Sequence, residues 1–455
     1  MTIPDVPCYW LANAHVPQSL LTTNDTRLLQ GSQPDGLVAV DLCIRDGLII
    51  QVLPAGEHSQ SGIPVVNWRG GQVWPCFVDM HTHLDKGHVW SRTPNPDGTF
   101  AGAATAAQAD WERMAQVYQG DPKRFQEDVR RRLEFGLKCS YAHGTQAIRT
   151  HISCSSPQTI ANLEIFAHLQ KEWAGRLTLQ AVTILYLDSF MTPAGEHLAD
   201  RVADLNGLLG GVTQPGPDLD RHLDRVFDLA QERGLDLDFH CDESGDPQAQ
   251  TLRHVAAAVL RHNFAGRVVC GHCCSLAVQP EAEVQKTLQL VKTAGIGIVS
   301  LPMCNLFLQD RQPQRTPRWR GITLIQELHS AGIPVAVASD NCRDPFYGFG
   351  DHDGLEVFTQ AVRIGHLDTP YGQWPQAITK TPAHLMNLGD TGQIGVGCSA
   401  DLVLFKGRGF SELLSRSQHD RLVLRRGKPI DTSLPDYREL DDLMALWGTP
   451  NPFGN

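Results

Sequence analysis

Short apolar runs recur through the middle of the chain, each followed by a stretch long enough for a helix. They centre on residues 77–83, 145–151, 177–186, 208–212, 235–240, 268–272, 296–301 and 333–340. Segments 221–234 and 281–294 between them carry helical spacing. Eight alternating strand and helix units predict a (β/α)8 TIM barrel rather than an open doubly wound sheet. A dinucleotide-binding fold would place Gly-x-Gly-x-x-Gly after the first strand, where this chain has Leu84-Asp85-Lys86-Gly87-His88. Both ends of the chain read differently. Runs at 37–44 and 47–52 flank Arg45-Asp46-Gly47, whose Asp-Gly predicts a hairpin. Runs at 400–405 and 421–427 have the same strand character. Neither end has enough strands to be stable alone. The expected organisation is a small β-sandwich domain from residues 1–72 and 390–455, with the barrel over 73–389.

In such a barrel, chemistry sits at the C-terminal ends of the strands. The first strand ends in Asp79-Met80-His81-Thr82-His83. Residues two apart on a strand share a face, so His81 and His83 both point inward and can chelate one ion. Nineteen histidines make a chance pair easy to find, so the pair needs company. The fifth strand supplies it. Leu235, Leu237 and Phe239 suit the outer face, while Asp236, Asp238 and His240 share the inner one. Unpaired polar groups there would cost ~1–3 kcal/mol each, and a metal ligand at His240 supplies a reason for them. His272 ends the sixth strand, and Asp340 closes an otherwise apolar eighth strand.

These segments resemble the amidohydrolase superfamily, in its cytosine-deaminase-like family. The likeness rests on Pro75-Cys76-Phe77-Val78-Asp79-Met80-His81-Thr82-His83-Leu84-Asp85, His240-Cys241-Asp242-Glu243, Gly271-His272 and Ser339-Asp340. Arg149-Thr150-His151, Asn305 with Leu308-Gln309, Arg320-Gly321-Ile322-Thr323 and Asp344-Pro345-Phe346-Tyr347 extend it. The resemblance implies one divalent ion, Zn(II) or Fe(II), on His81, His83, His240 and Asp340. Asp79 is expected to orient one of the histidines. The resemblance also implies that Glu243 shuttles a proton to a ring nitrogen, that Asp340 takes a proton from a metal-activated water, and that His272 steadies this nucleophile. The predicted reaction is hydrolytic deamination of an amino-substituted nitrogen heterocycle, with ammonia released.

Two other classes compete. Binuclear hydantoinase or dihydropyrimidinase relatives bridge two metals with a carboxylated lysine on the fourth strand. Here that strand reads Gly210-Gly211-Val212-Thr213, and no lysine occurs between Lys171 and Lys286. A non-catalytic barrel binding protein would be expected to have lost a ligand or the acid, and none is missing.

Substrate recognition departs from the best-known pattern. Cytosine deaminases carry Pro-Gln-Glu-Gly after the third strand, whereas this chain has Ile184-Leu185-Tyr186-Leu187-Asp188. A phenol cannot replace the paired donor and acceptor of a carboxamide, so another heterocycle is expected: an altered pyrimidine, a triazine or a cyclic guanidine. Lys86, Tyr186, Gln309, Asn341 and Phe346 are the candidate contacts. A net charge of −11 disfavours nucleic acid and anionic membranes as partners. The expected partner is a small molecule, with self-association into a homo-oligomer. Twelve scattered cysteines, and an N-terminal stretch without the basic and apolar regions of a secretion signal, point to a cytoplasmic protein with reduced thiols.

Overall fold

A computed structural model describes residues 2–30, 32, 35–59 and 62–445. Among them the chain forms two compact units. One comprises the described residues within Met1–Asp79, Ser140–Ala147 and Asp353–Leu434, and the other those within Met80–Cys139, Ile148–His352 and Pro435–Asn455.

The first unit contains two four-stranded sheets. In one, Leu37–Arg45 pairs antiparallel with Leu48–Pro54 and with Cys8–Pro17, and Val65–Asn67 runs parallel beside the latter. Arg45 faces Leu48, so the hairpin turn is the two residues Asp46 and Gly47, with φ of 51° and 84°. Positive φ at both positions is the turn that Asp-Gly favours, because it matches the twist of the strands. In the other sheet Val73–Pro75, from early in the chain, pairs with Leu402–Leu404 from late in it. Leu402–Leu404 pairs in turn with Leu422–Arg425. Trp74 is fully buried, with the rings of Phe77, Phe358 and Phe410 at 6.4, 5.3 and 6.1 Å.

The barrel strands are β1 (Phe77–Thr82), β2 (Thr145–Ser153), β3 (Thr178–Ile184), β4 (Leu209–Val212), β5 (Leu237–Cys241), β6 (Val268–His272), β7 (Gly297–Ser300) and β8 (Val335–Val337). β1, β2 and β3 are neighbours, and β4 to β8 form a parallel ladder. Bridges Val182↔Leu208 and Tyr186↔Val212 join β3 to β4, and Thr82↔Asp340 joins the end of β8 to β1. The eight strands therefore close on themselves as the (β/α)8 barrel that the apolar runs predicted, and the chain also carries an auxiliary β-domain.

Two strand boundaries differ from the sequence reading. The eighth strand was expected to run straight to Asp340. It ends at Val337, and Asp340 has φ of 65°, in the left-handed region rather than the extended one. The fifth starts at Leu237, so Asp236 lies before it, half-buried, and accepts the backbone N–H of Arg267 rather than pointing up the barrel.

Between β1 and β2 the chain makes an excursion through two helices, Phe100–Val117 and Pro122–Ala142. A buried ion network ties it down. Arg92 forks onto Asp110 at 3.0 and 2.9 Å and reaches Asp128 at 2.8 Å. Arg132 donates to Asp128 at 2.7 Å and to the carbonyls of Asp85 and Gly87. Removing one partner of such a network strands a buried charge. Arg92→Met should therefore lower unfolding stability by about 3–5 kcal/mol, read as a lower denaturant midpoint with an unchanged slope.

Candidate metal centre and active-site cavity

The strand ends of the barrel bring the sequence-predicted ligands together. The backbone N–H of Asp340 donates to the carbonyl of His81 at 2.8 Å, which brings the carboxylate level with the first strand's histidines. His240 pairs in register with Gly271 of β6. A Cβ on Gly271 would stand 2.8 Å from Cε1 of His81, so the glycine leaves the space that the ring occupies. His81 Nε2 lies 3.2 Å from His240 Nε2, which lies 3.3 Å from His83 Nε2. Asp340 Oδ1 is 3.2 Å from His83 Nε2 and 3.6 Å from His81 Nε2.

Donors about 2.1 Å from one ion in a tetrahedral set stand roughly 3.4 Å apart, so these separations fit a single divalent ion. Burial holds all three imidazoles well below the usual histidine range, which leaves them neutral. Neutral rings with converging nitrogen lone pairs repel one another, and a cation between them removes that repulsion. The four side chains are all buried. β4 ends beside this cluster with Thr213, which donates to the His240 carbonyl at 2.9 Å, where a bridged metal pair would need a lysine.

His151 also stands in the cluster, its ring 4.0 Å from that of His81 and 4.7 Å from that of His240. Its Nε2 is 3.4 Å from Asp238 Oδ1, and Arg149 donates to the other Asp238 oxygen at 2.8 Å. Sequence reasoning noted the Arg149-Thr150-His151 segment without assigning this histidine a place. Alternation along β2, with Arg149, His151 and Ser153 on one face, was the signal. Asp79 is buried on β1.

Glu243 sits off the cluster. Asn305 Nδ2 donates to Glu243 Oε1 at 3.1 Å and contacts His272 Nδ1 at 3.0 Å. An amide nitrogen only donates, so His272 Nδ1 accepts and its proton resides on Nε2. Burial pushes His272 down to about 3, which keeps the ring neutral. Burial first, and then the charge of Asp340, raise the Glu243 carboxyl well above the ordinary range. It is therefore poised as a proton donor. Asp242, next to it, is taken up by structure: it caps the helix Thr251–Arg261 through the N–H groups of Thr251 and Leu252.

A cavity of about 420 Å3 opens above these groups. His83, His240, His272 and Glu243 line it, together with Lys86, Asn341 and Phe346. Lys86 Nζ lies 4.4 Å from the centre of the Phe346 ring. Asp344 holds this wall, accepting from Asn341 Nδ2 at 2.6 Å and from the Phe346 N–H at 2.8 Å. Tyr186 lines the cavity and is 54% exposed, so it edges the mouth rather than gripping a ring at the bottom. Gln309 stands one layer out, where its Nε2 donates to the Glu243 carbonyl at 3.1 Å; it is not among the cavity-lining side chains. Sequence reasoning missed a further part of the lining, Phe100, Gln108 and Trp111 of the helix Phe100–Val117, where Phe100 meets Phe346 with ring centroids 5.6 Å apart.

The sequence pattern of the amidohydrolase family matches residues 134–430. A pterin deaminase of Rhizobium rhizogenes is 48% identical over 446 residues, covering 98% of this chain and 99% of that protein. An N-isopropylammelide isopropyl amidohydrolase of a Pseudomonas species is 25% identical over 345 residues, covering 74% and 81%. Among solved structures, a 5-methylcytosine deaminase from Klebsiella pneumoniae liganded with phosphonocytosine superposes with a TM-score of 0.77 at 25% identity, covering 94% of this chain and 99% of that one. The chain belongs to the amidohydrolase family. It is a metal-dependent hydrolase of carbon–nitrogen bonds, on the branch whose members deaminate amino-substituted heterocycles.

Gly271→Ala tests the packing of the centre. The added methyl should displace the His81 ring and weaken metal binding by roughly 10–100-fold, read by competition with a chromophoric chelator.

Proposed function

We propose that this protein hydrolytically deaminates a pterin, converting the 2-amino-4-oxo ring to the 2,4-dioxo ring with release of ammonia. The observation that carries the chemistry is Glu243, a largely buried acid held by Asn305 beside the histidine–aspartate cluster. Near-full-length identity of 48% to a pterin deaminase supports the fused bicyclic substrate. The cavity supports it too. Phe100, Trp111 and Phe346 offer flat apolar surface for a two-ring system, and Lys86 and Asn341 offer polar contacts for its oxo edge.

His81, His83, His240 and Asp340 hold the metal in this proposal, and imidazole with carboxylate suits Zn(II) or Fe(II). A divalent ion bound there supplies Lewis-acid activation of water near neutral pH. The chain does the rest. Asp340 accepts a proton from the attacking water. His272 directs its Nε2–H toward the attacking oxygen and steadies it. Glu243 gives its proton to the ring nitrogen next to the carbon under attack, so negative charge does not accumulate there. Asp340 then passes its proton to the departing amine, the hydroxyl proton on the attacked carbon returns to Glu243 as the carbonyl forms, and ammonia leaves. Lys86 orients the oxo group, and Tyr186 closes the mouth. The barrel, residues 73–389 in this proposal, carries every one of these groups. Twelve cysteines outside any disulfide and the net charge of −11 support a cytoplasmic protein acting on a small molecule rather than on nucleic acid.

Two measurements test this. Glu243→Gln should lose turnover by at least ~100-fold while its metal content stays at the wild-type level. Full activity in that variant removes Glu243 from the mechanism. A panel of pterin, cytosine, ammelide and creatinine, scored by ammonia release, should give the highest kcat/KM with pterin. A higher value with any of the single-ring compounds rejects the bicyclic substrate.

A further inference from the structure

A second set of metal-type donors lies outside the catalytic cluster and shares no residue with it. His88, Cys342 and His352 are all buried, and their ligand atoms lie within 4.8 Å of one another. His88 sits in the loop after β1, and Cys342 and His352 in the loop after β8. The backbone fixes the first two against each other. The His88 N–H donates to the Cys342 carbonyl at 3.1 Å, and the Trp90 N–H donates to the Arg343 carbonyl at 2.7 Å. Both histidines adopt left-handed backbone, with φ of 60° at His88 and 54° at His352. Such backbone in non-glycine residues marks places where the surrounding structure imposes a conformation. Among the described residues, neither ring nitrogen of His88 has a hydrogen-bond partner. A buried imidazole in that position costs ~1–3 kcal/mol unless something satisfies it. The ring meets Phe135 in a T-shaped contact with centroids 4.8 Å apart, and the His352 ring stands 5.7 Å away. Gly136 on the neighbouring helix makes room, because a Cβ there would lie 3.2 Å from His352 Nε2.

We infer that His88, Cys342 and His352 form a second, structural site for a divalent cation of the zinc class. Two imidazoles and one thiolate are a nitrogen–sulfur set that suits borderline-soft ions and not magnesium or calcium. On binding, the Cys342 thiol loses its proton to solvent and a sulfur–metal bond forms; no electron changes hands. The ion staples the loop that carries Lys86 to the loop that carries Asn341 and Phe346, which are adjoining parts of the cavity wall. Its role is therefore to hold the wall in place, not to take part in the chemistry.

Cobalt(II) separates this site from the catalytic one, whose donors are all nitrogen and oxygen. The folded wild-type protein, stripped and reloaded with cobalt(II), should take up two equivalents and show a near-ultraviolet thiolate-to-cobalt band. Cys342→Ser should lose the band and one equivalent. His240→Ala should lose the other equivalent and keep the band. No such band in fully loaded, folded wild type overturns the inference, leaving His88 as a ring packed on Phe135. A band that persists in Cys342→Ser also overturns it, because another cysteine is then the ligand. Neither outcome bears on the deaminase reading, which ammonia release tests separately.

Discussion

The hydrogen bond from the Asp340 N–H to the His81 carbonyl is the contact on which the rest of the site depends. It lies where the last strand of the barrel meets the first, at the Thr82↔Asp340 bridge. A closed barrel has no free edge, so the register of this seam follows from all eight strands together. Set there, the seam brings a carboxylate from the end of the chain's barrel segment beside two imidazoles from its beginning. The left-handed backbone at Asp340, φ 65°, turns the side chain into the mouth after the strand has ended. The cluster is thus a consequence of closure, and an open sheet with the same strands would not assemble it.

Burial then sets the chemical character of each group, and sets it in opposite directions. Imidazoles at the bottom of the mouth are held neutral, the state in which they bind a cation. The Glu243 carboxyl is held protonated by the same loss of water, the state in which it donates. Beneath them Arg149 and Asp238 form a buried pair that faces His151, so the floor of the site carries its own charge compensation. Asn305 links the two halves by reaching Glu243 and His272 with a single amide nitrogen. An acid and a histidine from different strands therefore share one positioning group, carried on the short helix Pro302–Leu308.

The sequence made the cluster legible because strand alternation and residue type agreed. His272, paired with Cys241 and turned by left-handed backbone of φ 68°, enters the mouth out of step, but His81 and His240 stand where a period of two leaves an inward polar position at a strand's end. The same rule reached His151, but without a neighbour in sequence to mark it as more than a core histidine. Asp340 was found for a reason that only partly holds, since the strand stops before it and a turn of backbone rather than alternation aims its carboxylate. The helical part of the cavity wall was not legible at all. Phe100, Gln108 and Trp111 lie on a helix inserted between β1 and β2, and nothing in its local pattern says which barrel face it covers. That placement depends on Arg92, Asp110, Asp128 and Arg132, a network spread over some forty residues of chain. Gln309 shows the converse. Its type and position suggested a ring contact, whereas its amide supports the backbone of Glu243.

The central claim is that one divalent ion is held among three imidazoles and one carboxylate at the barrel mouth. Anomalous diffraction from a crystal of the metal-loaded protein tests it most directly. The account predicts a single peak in that mouth, within bonding distance of the Nε2 atoms of His81, His83 and His240 and of the Asp340 carboxylate. A pair of peaks sharing the mouth, or a peak that leaves His240 or Asp340 uncoordinated, would contradict it.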